Sequence, residues 1–129
     1  MINIVIFADG KAKSSDVFRL IDKSGDGVTS GEKGLLLYEG GTVCGVDGFS
    51  DNSANAICRE MGYTQAMDWT ARNEGFNDTL ARGFGITLSA VFCRGPDWRS
   101  CRYSTTRNSY DCLYHSNDVY LTCSGKYAQ

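Results

Sequence analysis

Gly40-Gly41-Thr42-Val43-Cys44 and, after an acidic turn, Ala54-Asn55-Ala56-Ile57-Cys58-Arg59-Glu60-Met61-Gly62 decide how this chain reads. The first segment ends a short β-branched run in a cysteine, which suits a strand. In the second, Ala54, Ile57, Cys58 and Met61 fall at i, i+3, i+4 and i+7, one face of a helix. Asp51, Asn52 and Ser53 are the candidate N-caps, and Gly62 is a left-handed stop. A helix of about ten residues is marginal alone. Tied through Cys58 to a distant strand, it can anchor a small core.

The chain has 129 residues, which suits one domain. Six cysteines stand at 44, 58, 93, 101, 112 and 123, with a single histidine, His115. None forms a Cys-x-x-Cys pair, which argues against structural zinc. An even number of spread cysteines predicts three disulfides and an oxidising, extracellular compartment. Many pairings are open to six cysteines, and spacing alone does not choose among them. No apolar run approaches the ~20 residues that a membrane helix needs.

Charge is uneven. Residues 1–80 carry 7 Lys/Arg against 12 Asp/Glu, and residues 81–129 carry 6 against 3. An acidic front and a basic back fit separate cation-attracting and anion-attracting surfaces. Plain solvated charge fits equally well.

In chain order, residues 1–16 read as an N-terminal extension. Ile2, Ile4 and Ile6 favour a strand that pairs with a sheet edge of its own fold or of a second copy. Met1–Ala8 lacks the basic start of a signal peptide, so the expectation is a mature or excised segment of a secreted protein. Strands are expected at Val17–Asp22, Gly34–Tyr38, Thr42–Cys44, Gly85–Cys93 and Asp118–Cys123. Asp22–Gly27 opens like an EF-hand loop, but Lys33 stands where the bidentate Glu is needed. It reads as an ordinary Gly–Asp loop. Tyr63–Gly83 is expected to be mostly loop, with Trp69 as its buried anchor. Asn77-Asp78-Thr79 is a glycosylation sequon. Residues 126–129 are a tail.

Several of these segments resemble one family. Gly40–Cys44, Asp47-Gly48-Phe49, Ala56–Gly62, Ile86–Cys93 and His115-Ser116-Asn117-Asp118 leading to Cys123 look like a scavenger receptor cysteine-rich domain, with the match running from Val17 to Gly125. Cys58–Thr70 resembles the same module in lysyl-oxidase-like proteins, although the chain has no copper-binding His cluster. The resemblance implies an α+β fold, a curved antiparallel sheet cradling one main helix. It also implies the pairing Cys44–Cys112, Cys58–Cys123 and Cys93–Cys101.

The family often binds Ca²⁺ or Mg²⁺ beside its ligand. Carried over by position, the metal candidates are Asp47, Asp51, Asn117 and Asp118. Val46 and Asn117 replace two carboxylates of the pattern, so the expected cation binding is weak, millimolar in order. Turn and helix capping by the same side chains is the other reading. On the basic side, Arg94, Arg99, Arg102 and Arg107 fall within fourteen residues, with Trp98 and Tyr103 among them. Guanidinium forks suit sulfate, phosphate and carboxylate, and the resembled family uses basic clusters on polyanions. Packing of arginine stems on the two rings is the alternative.

Catalysis has little support, since the lone His115 has no obvious nucleophile to activate, the cysteines being expected in bridges, and Asp47 with Asp51 lacks a cleft signal. Nucleic acid would need a stronger positive field. The expectation is an extracellular recognition module for a protein, glycan or microbial polyanion. A matrix or assembly module that self-associates through residues 2–8 is the alternative.

Overall fold

A computed structural model describes residues 17–46, 48–72, 78–105, 112 and 114–125. The expected N-terminal strand, Asp47, Asn77 of the sequon and Arg107 lie outside the described residues. Strands β1 (Phe18–Ile21), β2 (Lys33–Tyr38) and β3 (Gly41–Cys44) lead to helix α1 (Asp51–Glu60). Strand β4 (Gln65–Thr70), a short helix α2 (Asp78–Arg82) and strand β5 (Ile86–Cys93) follow. A 3₁₀ turn (Trp98–Ser100) joins β5 to β6 (Cys101–Ser104), and a second (His115–Asn117) precedes β7 (Tyr120–Ser124).

The seven described strands form one sheet in the order β4-β7-β2-β3-β5-β6, with β1 pairing β2 off this path. The expected curved sheet and single main helix are present. One expectation needs correcting, because the sheet is not wholly antiparallel: β3 runs parallel to β5. A parallel neighbour requires a crossover, and here it carries α1, β4 and α2. The two backbones come close at Gly41, where an added Cβ would lie 2.7 Å from the Gly85 carbonyl.

Helix α1 buries Ser53, Ala54, Ala56, Ile57 and Cys58. Its N-cap is Ser50, in an extended conformation, one residue before the expected candidates. Ser53 serves as N3: its Oγ accepts from the Ser50 N–H at 3.2 Å and donates to the Val91 carbonyl at 3.0 Å. The helix stops as expected at Gly62 (φ +93°). The Gly62 N–H donates to the Arg59 carbonyl and the Tyr63 N–H to the Cys58 carbonyl, both at 3.0 Å. These two bonds make a Schellman motif.

The main core joins that helix face to Phe18, Leu36, Val43, Leu88, Val91, Val119 and Leu121. A second cluster of Ile21, Leu35, Leu37, Tyr120 and Ala81 brings in α2. Three disulfides close the structure with the implied pairing. Cys44–Cys112 and Cys58–Cys123 span 68 and 65 residues, and Cys93–Cys101 spans 8. Among the described residues no helix is long and apolar enough to cross a membrane.

Candidate functional site

The arginine segment is a braced hairpin. Cys93 pairs with Cys101 in register and through sulfur, and Phe92 pairs with Arg102. The connecting turn is capped by Asp97, whose carboxylate accepts from the Arg99 N–H at 3.1 Å. That backbone hydrogen bond, then the Arg99 guanidinium, hold the Asp97 carboxyl below its ordinary value. Ser100 Oγ accepts from the Gly95 N–H at 3.1 Å, and the Ser100 N–H donates to the Asp97 carbonyl at 2.8 Å. Asn52 on α1 donates to the Arg94 carbonyl at 3.1 Å, fastening the hairpin to the helix.

Arg94, Arg99 and Arg102 are all exposed. Arg99 has 89 % of its side chain in solvent and makes a loose 3.5 Å ion pair with Asp97. The aromatic residues of the segment pack with one another: Trp98 stacks on Tyr103 at 5.1 Å and sets its edge on Phe18 at 5.1 Å. Trp98 therefore fixes the hairpin on the core, and Tyr103, itself largely exposed, stacks over it.

The described metal candidates are spread over different tasks. Asp51 Oδ1 accepts from the Trp69 indole N–H at 2.8 Å. Trp69 itself packs on Phe49 with ring centroids 4.8 Å apart. Asn117 Nδ2 donates to the Ala71 carbonyl at 3.3 Å. Asp118 is 1 % exposed and sets both oxygens on His115 Nδ1, at 3.1 and 2.8 Å. Thr42 Oγ1 lies 3.3 Å from the same nitrogen. A buried carboxylate needs such partners, and the lone histidine meets that need. Among the described residues no three His, Cys, Asp or Glu side chains gather as a metal site.

The EF-hand-like loop is an Asx turn. Asp22 Oδ1 accepts from the Ser24 and Asp26 N–H groups at 2.8 and 3.0 Å. Between α1 and β4, Asp51, Asn55, Met67, Asp68 and Trp69 line an open groove of about 430 Å³. Two features escaped the sequence reading. The His115–Asp118 pair had an i, i+3 spacing that could have suggested it. Phe92, 45 % exposed, had no such signal.

Known proteins with this pattern are consistent with one another. The profile of the scavenger receptor cysteine-rich domain matches residues 26–124. Bovine lysyl oxidase homolog 2 is 35% identical over 94 residues, covering 70% of this chain and 11% of that protein. Human lysyl oxidase homolog 2 is 37% identical over 97 residues, again covering 70% and 11%. The chain thus spans about a tenth of the length of these relatives. Among solved structures, the dimeric form of the scavenger receptor cysteine-rich domain of mouse MARCO aligns with a TM-score of 0.50. It covers 75% of this chain and 92% of that one at 23% identity, a likeness of fold. Six cysteines in order, their three bridges, the curled sheet around one helix and the profile match place this chain in the scavenger receptor cysteine-rich domain family.

Proposed function

We infer that this chain is an extracellular recognition module that binds an anionic ligand, protein or glycan, through the β5–β6 hairpin. The observation that carries this reading is the exposure of Arg94, Arg99 and Arg102 on a hairpin fixed by the Cys93–Cys101 bridge. Guanidinium groups on a braced backbone lose little freedom on binding, and their forks match carboxylate and sulfate. The action is binding without bond making. All six cysteines are bridged, and His115 Nδ1 is taken by Asp118. The oxidase activity named for the relatives does not follow from a match to a tenth of their length.

Assistance by Ca²⁺ or Mg²⁺ is expected to be weak. Asp118 faces inward on His115, and Asp51 already holds the Trp69 indole. Among the described candidates few carboxylates then remain for a hard cation, and affinity falls with ligand charge.

The test is calorimetric titration with a heparin fragment at low salt. The Arg99→Ala/Arg102→Ala variant is expected to bind about thirtyfold more weakly, since two charge-assisted contacts at about 1 kcal/mol each are lost. Unchanged affinity in that variant would remove the hairpin from the binding role.

A further inference from the structure

Phe92 faces water because the backbone of β5 slips phase. Ile86 and Leu88 are buried, and strict alternation would make residues 90 and 92 the next inward positions. Instead Val91 and Cys93 are buried and Phe92 is 45 % exposed. Ser89 pairs with Ser104 and Phe92 with Arg102, so β5 takes one more residue than β6 between these pairs. That extra residue is a β-bulge. Within it Ala90 has φ +53°, a left-handed conformation that costs a residue with a Cβ. The phase slip turns Cys93 in to its disulfide and sends a large apolar ring outward.

The ring is braced from behind. A Cβ added at Gly48 would lie 3.2 Å from the Phe92 Cβ, so the loop after β3 rests against the Phe92 stem. Arg102, its cross-strand partner, shares its face and is exposed. Arg94, two residues beyond Phe92, is exposed as well.

We propose that the outer face of the β5–β6 hairpin docks an acidic segment of a partner protein. Phe92 covers an apolar side chain of that segment, and Arg94 and Arg102 take the flanking carboxylates. This narrows the ligand of the arginine reading above and rests on it. A central aromatic ring bordered by arginines is the usual anatomy of a protein–protein hot spot. The positive border selects an acidic partner, and a peptide side chain supplies more apolar surface for the ring to cover than a sulfated glycan does. Apolar surface is what such a ring gains from covering.

The experiment uses the whole chain and three fluorescent probes: a Glu-rich peptide with a central Phe-Leu, the same peptide with Ser-Ser, and a heparin fragment. Anisotropy titration of the wild type is expected to show the Phe-Leu peptide binding about tenfold tighter than its Ser-Ser control. Phe92→Ser should erase that advantage and leave heparin affinity within about twofold, while Arg102→Ala should weaken all three probes. Equal binding of the two peptides by the wild type, or an advantage that survives Phe92→Ser, overturns the proposal. Heparin binding with neither peptide bound also overturns it and keeps the arginine reading. Failure of all three probes on the wild type removes both.

Discussion

Replacing Ser53 by Ala should destabilise this domain more than its small size suggests. Its Oγ is fully buried and joins two elements, accepting from the Ser50 N–H and donating to the Val91 carbonyl. Alanine removes both bonds and leaves the Val91 carbonyl, inside the bulge, without this donor. Each hydrogen bond is worth about 1 kcal/mol net, and a stranded buried group adds about 1 kcal/mol more. The expected loss is therefore about 2–3 kcal/mol, a large fraction of the ~5–15 kcal/mol typical of a domain. Urea unfolding followed by far-UV circular dichroism would read it as a lower midpoint at unchanged slope. In a thermal scan the same loss is about 10 °C. Asn52→Ala is the control, since it removes the exposed bond from Asn52 to the Arg94 carbonyl. It should cost under about 1 kcal/mol. A Ser53→Ala loss no larger than the control's would refute the claim that this hydroxyl ties the helix to the bulge.

Three further outcomes are expected. Cys58→Ala/Cys123→Ala, opening a bridge of sequence separation 65, should cost about 4 kcal/mol on the chain-entropy account, and Cys93→Ala/Cys101→Ala, with separation 8, about 2.5 kcal/mol; guanidinium unfolding of both variants checks the order. Ala90→Val should destabilise by about 1–3 kcal/mol, because a β-branched residue tolerates φ +53° poorly, while Ala90→Gly should be neutral or mildly stabilising in the same assay. Burial, then Glu39 and Tyr103, push the Tyr38 hydroxyl above the ordinary tyrosine value of 10.0. The neutral form is favoured in the folded state, so its contribution is complete below that value and is lost as pH rises past it. Ultraviolet titration should show a late tyrosine component that Tyr38→Phe removes.

The helix was legible because Ala54, Ile57, Cys58 and Met61 repeat on one face and Gly62 can take positive φ. The bridges were legible through the family pattern, not through spacing. Strand β4 was hidden. Gln65–Thr70 shows no clean alternation, because the register against β7 slips between Ala66 and Asp68. Its strand character comes from its partner. The parallel β3–β5 pair depends on a crossover that no local signal encodes. Ile86–Cys93 announced itself as a strand, but its bulge did not, so the outward turn of Phe92 could not be read. Among the site residues, the exposure of Arg94, Arg99 and Arg102 agrees with the basic composition of the segment. Asp118 reads in sequence as a metal candidate; burial against His115 gives it a different task, of which the i, i+3 spacing was the one local sign.

The claim that ligands meet the outer face of the β5–β6 hairpin is tested most directly by amide shift mapping of the ¹⁵N-labelled chain titrated with a heparin fragment. The account predicts that the largest shifts cluster at Phe92, Arg94, Arg99 and Arg102. Shifts centred instead on Asp51, Asp68 and Trp69, along the groove between α1 and β4, would contradict it.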